Sequence, residues 1–460
     1  MDPLIAAAVQ AFTTGAASEA GKQVASGRLA RFFGRPVTQR AELRTLVAER
    51  LSTEAGFRAR LTEWLTSEAN RDTSGSVRFL LTRASVWTDV GVLVERALEE
   101  HSSLRESHDV PLLTQPGWIP SKPIPLLPER ILMRREMSPP ADNWMAAKRL
   151  LRGYGYWPIV SGQTMSTLHA AIDWFEKPNW YNGDSYRLTK VEPVNDTLRL
   201  VFADEPCGYF DLIDTTQPLE FEAAWQYEKT AASIGGPYRT WLGDPFDLTR
   251  RCAIPGINTL TIRRAGTDAT FFLHNRINVS TAANTRHVIP AGEFQPSGDS
   301  APARENDFDL LRTVVREYAE EMLGVEDARG QDLAPIDYSS DRRYASLYSA
   351  LTSGEASLYF LGIGLYPLTW KPEILLACVF DERAFDRLFK HMTPPGEGGY
   401  CLPRVTKARS YLFWQGRRSS YSGWPFVEST VRDFRDHSTT LPAGRAALGV
   451  AWEHRRELGL

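Results

Sequence analysis

Between Asp307 and Val325 the chain reads DFDLLRTVVREYAEEMLGV, and few local patterns restrict a fold so tightly. At 100° per residue, Leu311, Val314, Val315, Tyr318 and Met322 line one side, which predicts a helix packed on a core. Glu317, Glu320 and Glu321 gather away from that side, within a sector of roughly 100°. Three carboxylates so close either spread into solvent, as on any solvated helix face, or collect around a cation. Hard divalent ions such as Mg²⁺ take oxygen ligands, usually one or two carboxylates completed by substrate phosphate. Arg316 lies four residues before Glu320 and is spaced to pair with it.

Upstream, His287 to Gly298 reads HVIPAGEFQPSG, a short apolar strand running into a Pro-Ala-Gly turn and then a polar loop. On these residues the sequence resembles the Nudix hydrolase superfamily, whose box is Gly-x5-Glu-x7-Arg-Glu-U-x-Glu-Glu-x-Gly-U, with U a bulky apolar residue. Arg316, Glu317, Tyr318, Glu320 and Glu321 match its second half. Gly324 and Val325 match its end one residue late, and Pro290-Ala291-Gly292 is similar to the turn that opens it. Counted back from Arg316, the box glutamate falls at Phe308 and the box glycine at Pro302. Gly292 stands 24 residues before Arg316 where the family has 14, so a loop of about ten residues is inserted. Glu305, Asp307 and Asp309 are candidate replacements for the missing glutamate, and spacing selects none of them.

The resemblance covers about residues 255–460 and implies an αβα sandwich. It also implies Mg²⁺- or Mn²⁺-dependent hydrolysis of a nucleoside diphosphate linked to another moiety. Glu317, Glu320 and Glu321 would hold the metal and, with Arg316, form the catalytic set. Gly292 and the arginines beside the turn, Arg263, Arg264 and Arg276, are candidates for the substrate, since guanidinium binds phosphate oxygens bidentately. Strand alternation sends Arg263 and Arg264 to opposite faces. A second reading keeps the nucleotide pocket without turnover, as a sensor or a transcriptional or other regulatory protein; the missing box glutamate favours it. Fusion to further domains points by analogy to signalling or defence.

At 460 residues the chain has room for two or three domains. Its 53 Lys and Arg against 56 Asp and Glu argue against general nucleic-acid binding. Cys207, Cys252, Cys378 and Cys401 form no Cys-x-x-Cys pair, so a disulfide framework and a structural zinc site are not expected and a reducing, cytoplasmic setting is. No basic leader opens the sequence and no eighteen-residue apolar run occurs, so neither a signal peptide nor a membrane span is expected.

The chain divides on this reading into an α+β multidomain protein. Residues 1–105 are helical throughout and form a bundle with apolar faces but no polar constellation, an expected module for self-association or a protein partner. Within it, Gly15 to Lys22 misses a phosphate-binding loop in spacing and lacks the strand before it and the hydroxyl after it. Six prolines between Pro111 and Pro128 mark 106–128 as an extended linker or a strap over the next domain. Residues 129–250 form a mixed α/β domain rich in aromatics, with helices over 141–154 and 165–175 and a strand pair around Leu188 and Leu200. The Nudix-like domain takes 251–460, with a hairpin over 259–275, buried strands over 357–366 and 374–380, and extra material at 396–421.

Overall fold

The computed structural model describes residues 3–14, 30–34, 40–69, 74–105, 109–126, 131–137, 142–178, 180–194, 197–276, 285–326, 334–390, 392, 398–401 and 423–460. It is a mixed helix and sheet protein of more than one compact unit. None of its described helices is long and apolar enough to cross a membrane. The near-miss phosphate loop and most of 396–421 lie outside the described residues.

The first unit joins residues 1–93, 141–181 and 213–243. The sequence reading cut the chain consecutively; compactness instead groups the early helices with helices that follow the proline-rich stretch. Helix Ser76–Thr88 explains why. Phe79, Leu80, Arg83 and Val86 are all buried, so no single face of this helix suffices to cover it. Helices Pro3–Thr14 and Phe57–Ala69 pack on it, and so does Pro218–Thr230. The Phe79 ring meets Phe221 at 5.3 Å, Phe175 at 6.1 Å and Trp157 edge-on at 6.3 Å. Arg83 and Glu176 form an ion pair at 3.2 Å whose side chains are 2% and 1% exposed. Burial opposes the Arg83 charge, but the Glu176 carboxylate outweighs it and holds the guanidinium above its ordinary pKa. Trp144 and Trp157 are core residues, whereas Trp174 is 56% exposed.

The second unit joins 94–140, 182–212 and 244–460. Its main sheet uses β1 (Ile124–Pro125), β2 (Gly256–Ala265), β3 (Asp268–Phe271), β4 (Ala291–Glu293), β5 (Ala356–Leu365), β6 (Pro372–Asp381) and β7 (Trp424–Pro425). The order is β1-β5-β6-β2-β3-β7, and β4 pairs with the start of β2. Strands β2 and β6 are parallel and run in register from Gly256 beside Glu373 to Arg264 beside Asp381. The β2–β3 hairpin falls where alternation predicts one, but its second strand ends at Phe271, and Leu273–Arg276 pairs instead in a separate sheet with Thr285–Val288 and Gly398–Cys401.

Strand β6 up to Phe380 and the second half of β5, from Phe360, are buried on both faces because helices cover both, while Ser357 and Tyr359 at the start of β5 are exposed and half-buried. The acidic helix α1 (Leu310–Leu323) lies on one face, where the Tyr318 hydroxyl meets Thr261 Oγ1 at 2.7 Å and its ring stands edge-on to Phe380. Asp309 caps its start by accepting from the amides of Leu311 and Arg312, and Gly324 at φ 67° ends it. The opposite face carries Leu260, Ile262, Leu375, Ala377 and Val379 against the alanine-rich helix α3 (Pro442–Glu453). Helix α2 (Glu382–Leu388) follows β6 directly.

The proline-rich stretch is a strap rather than a free linker, but it lies on the sheet of 251–460 and not on the domain that follows it in sequence. Leu112, Leu113, Trp118 and Ile124 are buried, Leu113 exchanges backbone hydrogen bonds with Leu365, and β1 extends the sheet beside β5. Prolines suppress helix there, while the apolar residues between them have a sheet edge to cover. A separate three-stranded sheet pairs Leu188–Val194 with Thr197–Ala203 antiparallel, as alternation predicts, and adds Ile131–Glu136 parallel to the latter.

Candidate functional site

The turn and the acidic helix converge. Strand β4 sets Gly292 opposite Ile257, on the face that α1 covers. A β-carbon on Gly292 would stand 2.3 Å from the Glu317 carboxyl carbon, so the carboxylate occupies the space that a side chain would need. One residue earlier, the Ala291 amide donates to Glu321 Oε2 at 3.1 Å. Glu317 and Glu321 are half-buried and Glu320 is exposed, as positions one turn apart on one sector of a partly covered helix should be. Arg316 is 7% exposed and donates to the Gln295 carbonyl, tying the helix to the loop that leaves the turn.

The position that the box assigns to a glutamate holds Phe308, whose ring packs against Tyr186 and Phe202 at 5.2 Å and Phe294 at 5.9 Å. Each of the three nearby acids has its own task. Asp309 is the helix cap, and Glu305 is exposed and pairs with Arg135. Asp307 is fully buried and accepts from the Ser297 amide at 2.7 Å, the Ser297 hydroxyl, the Tyr338 hydroxyl at 2.8 Å and Asn306 Nδ2 at 3.0 Å. Burial pushes the Tyr338 phenol above its ordinary pKa, with Arg316 opposing and Asp307 adding to the rise.

Arg263 and Arg264 do not join this cluster. Arg263 lies six residues along β2 from Ile257, about 20 Å at the rise of a strand. It donates twice to the Asp386 carboxylate on α2, at 2.8 and 2.9 Å. That bidentate pair holds its guanidinium above the ordinary arginine range. Arg264 points to the other face and donates to the Gly459 carbonyl. Arg276 ends the strand Leu273–Arg276, and its side chain lies outside the described residues.

Sequence reasoning missed a polar network on the reverse face of the same turn. Lys371 Nζ reaches Glu293 at 3.0 Å and Glu373 at 3.3 Å. Asn258 Nδ2 donates to Glu373 at 2.8 Å, and Asn258 Oδ1 meets His287 Nε2 at 2.7 Å. Burial opposes the Lys371 charge, yet the two carboxylates outweigh it and hold the amine protonated above the ordinary lysine range. The available signal was Glu293 directly after Gly292; the partners come from strands far along the chain.

Among the described residues no group of three or more His, Cys, Asp or Glu is arranged to hold a metal ion. No family model and no curated protein matches the chain.

Proposed function

We propose that residues 251–460 are a Nudix-like αβα sandwich that binds a nucleoside diphosphate derivative against α1 and hydrolyses it with Mg²⁺ or Mn²⁺. The observation that carries the reading is the meeting of Gly292 and Glu317, reinforced by the Ala291 amide on Glu321. Helices on both faces of a mixed sheet support the sandwich. Glu317, Glu320 and Glu321 offer hard oxygen donors, and an ion that takes one or two carboxylates would complete its shell from phosphate and water. Such an ion supplies neutralisation of the diphosphate and an activated water. The chain's own part is positional: the bare Gly292 leaves room for Glu317, the Ala291 amide orients Glu321, and Arg316 anchors the loop behind them. Helices within 1–105 serve, on this reading, in self-association or partner docking.

A second reading, a nucleotide sensor or regulator without turnover, is favoured by Phe308 in its aromatic cluster and by Asp307, Asp309 and Glu305 being engaged elsewhere. The deciding experiment screens nucleotide sugars, dinucleotides and nucleoside triphosphates for Mg²⁺-dependent hydrolysis with wild type, Glu317→Gln and Glu321→Gln. Hydrolysis lost in both variants supports the enzyme. A nucleotide that raises the melting temperature of wild type alone, unhydrolysed, supports the sensor. Neither result in wild type sinks both.

A further inference from the structure

At the far end of the sheet from Gly292, the parallel strands β2 and β6 finish side by side at Arg264 and Asp381. Just beyond lies an open cavity of about 400 Å³ on the face of the sheet that α3 covers. Clefts outside the carboxyl ends of parallel strands are where sheets of this kind take ligands, and this volume falls in the range of small-molecule sites. Arg264, Arg383 and Arg387 line it against only two carboxylates, Glu355 and Asp381. Glu355 is engaged by Arg387, and Asp381 caps α2 through the Arg383 amide at 2.9 Å. The Arg383 guanidinium makes no ion pair among the described residues, and Arg264 spends one N–H on the Gly459 carbonyl. The half-buried Tyr359 and the apolar Val379 also line the cavity, and Ser357 lies directly opposite Val379 across the β5–β6 pair, two residues before Tyr359.

We infer that this cavity is an oxyanion site for a small phosphomonoester. Arg264 and Arg383 bind the phosphate, Ser357 donates to it, and the organic part lies on Tyr359. Guanidinium suits a phosphate because its N–H groups match two oxygens at once, and a planar ring stacks without sequence-specific polar demands. The site is separate from the carboxylates of α1: it lies on the opposite face, and Arg264 is seven residues along β2 from Ile257, about 23 Å at strand rise. It therefore needs no metal and does not depend on the hydrolase or sensor reading.

The test is calorimetric titration of the full chain with phenyl phosphate and with inorganic phosphate, in EDTA. Wild type and Glu321→Gln should bind phenyl phosphate alike. Arg383→Gln and Arg264→Gln should weaken it at least tenfold. Tyr359→Leu should remove the preference for phenyl phosphate over inorganic phosphate. Arg383 is exposed and holds no other side chain, so its variant tests the site without disturbing the fold. Absence of binding by wild type, equal affinity in both arginine variants, or loss in Glu321→Gln instead would each overturn the assignment.

Discussion

Replacing Gly292 by alanine separates the turn from the carboxylate it shelters. The new β-carbon would stand 2.3 Å from the Glu317 carboxyl carbon and 2.3 and 2.4 Å from its oxygens. Ordinary contact begins at 3.4 Å, so the carboxylate must retreat by about 1.1 Å (3.4 − 2.3). Gly292 does not occupy the left-handed region, and the backbone there accepts alanine. The obstacle is the end of a flexible side chain, so stability should barely change. Lower freedom of the unfolded chain stabilises by about 0.4–1 kcal/mol. Turning Glu317 off its rotamer costs about 0.5–1.5 kcal/mol. The net stays within about 1 kcal/mol, a shift in melting temperature of about 4 °C or less. Chemistry is less tolerant: a displacement of about 1 Å in a positioned group can cost on the order of 100-fold in rate. Calorimetric melting and Mg²⁺-dependent nucleotide release, measured on the same preparations, should therefore diverge. Adding Glu317→Ala removes the collision, and the double variant should be more stable than Glu317→Ala alone by the unfolded-state gain of about 0.4–1 kcal/mol. Full activity in Gly292→Ala would refute a working carboxylate in that space, and a collapse in melting temperature would mean that the strand yields instead.

Gly362→Ala should destabilise by at least about 2 kcal/mol in chemical denaturation, because φ is +145° and the β-carbon would meet Ile119 Cδ1 at 2.5 Å and the Trp118 carbonyl at 3.0 Å; a cost under half of that would argue against a strap seated on β5. Asp307→Asn turns an amide N–H₂ toward donors from Ser297, Tyr338 and Asn306, and should cost about 1–3 kcal/mol in the same assay. Glu176→Gln leaves Arg83 buried without its counter-charge and should cost about 3–5 kcal/mol, with an unchanged melting temperature as the contrary result. Burial pushes the Cys378 thiol up to about 12 from 9.0. The folded state then keeps a proton that the unfolded state releases, so stability from this group is full below pH 9 and declines as pH rises toward 12. Cys378→Ala should flatten the fall in stability between pH 9 and 10.5, and an identical slope would contradict the assignment.

Local periodicity carried much of the fold. Val314, Tyr318 and Met322 recur at helical spacing, and the observed helix buries them. Alternation in 197–203 and the apolar runs at 357–366 and 374–380 likewise mark strands. Partners were harder to read, since spacing fixes an element's type and not its neighbour. Nothing local to Ser76–Thr88 says that Phe221, far along the chain, covers its Phe79. Arg263 shows the same limit in the candidate site: its strand position was legible, and Asp386 as its partner was not. The proline-rich stretch lacks periodicity altogether, so its burial depends on a sheet edge that only tertiary structure supplies.

On the proposed reading, the ten extra residues between Gly292 and Arg316 do not by themselves disable the site. In loop-closure terms, lengthening the connection from 14 to 24 residues costs only about 0.5 kcal/mol. The inserted residues also make their own hydrogen bonds. Ser300 caps the short helix Ala301–Asn306, and Asp307 gathers Ser297, Asn306 and Tyr338 around one carboxylate. Gln295, at the loop's start, is held by Arg316 from the helix that the loop leads into. Both ends of the insertion are thus fixed by the elements that must meet, and Gly292 and Glu317 keep their contact across it. What distinguishes this chain from the box pattern is chemical rather than topological: an aromatic ring at position 308 where a carboxylate would stand. That half-buried ring packs on Tyr186, Phe202 and Phe294 with the Arg135 guanidinium over its face, so Phe308→Glu would lose the aromatic packing and place its carboxylate beside Arg135. On the proposed hydrolase reading, Glu317, Glu320 and Glu321 would serve without a fourth carboxylate at position 308, and a rate below that of a complete carboxylate set is the expected outcome.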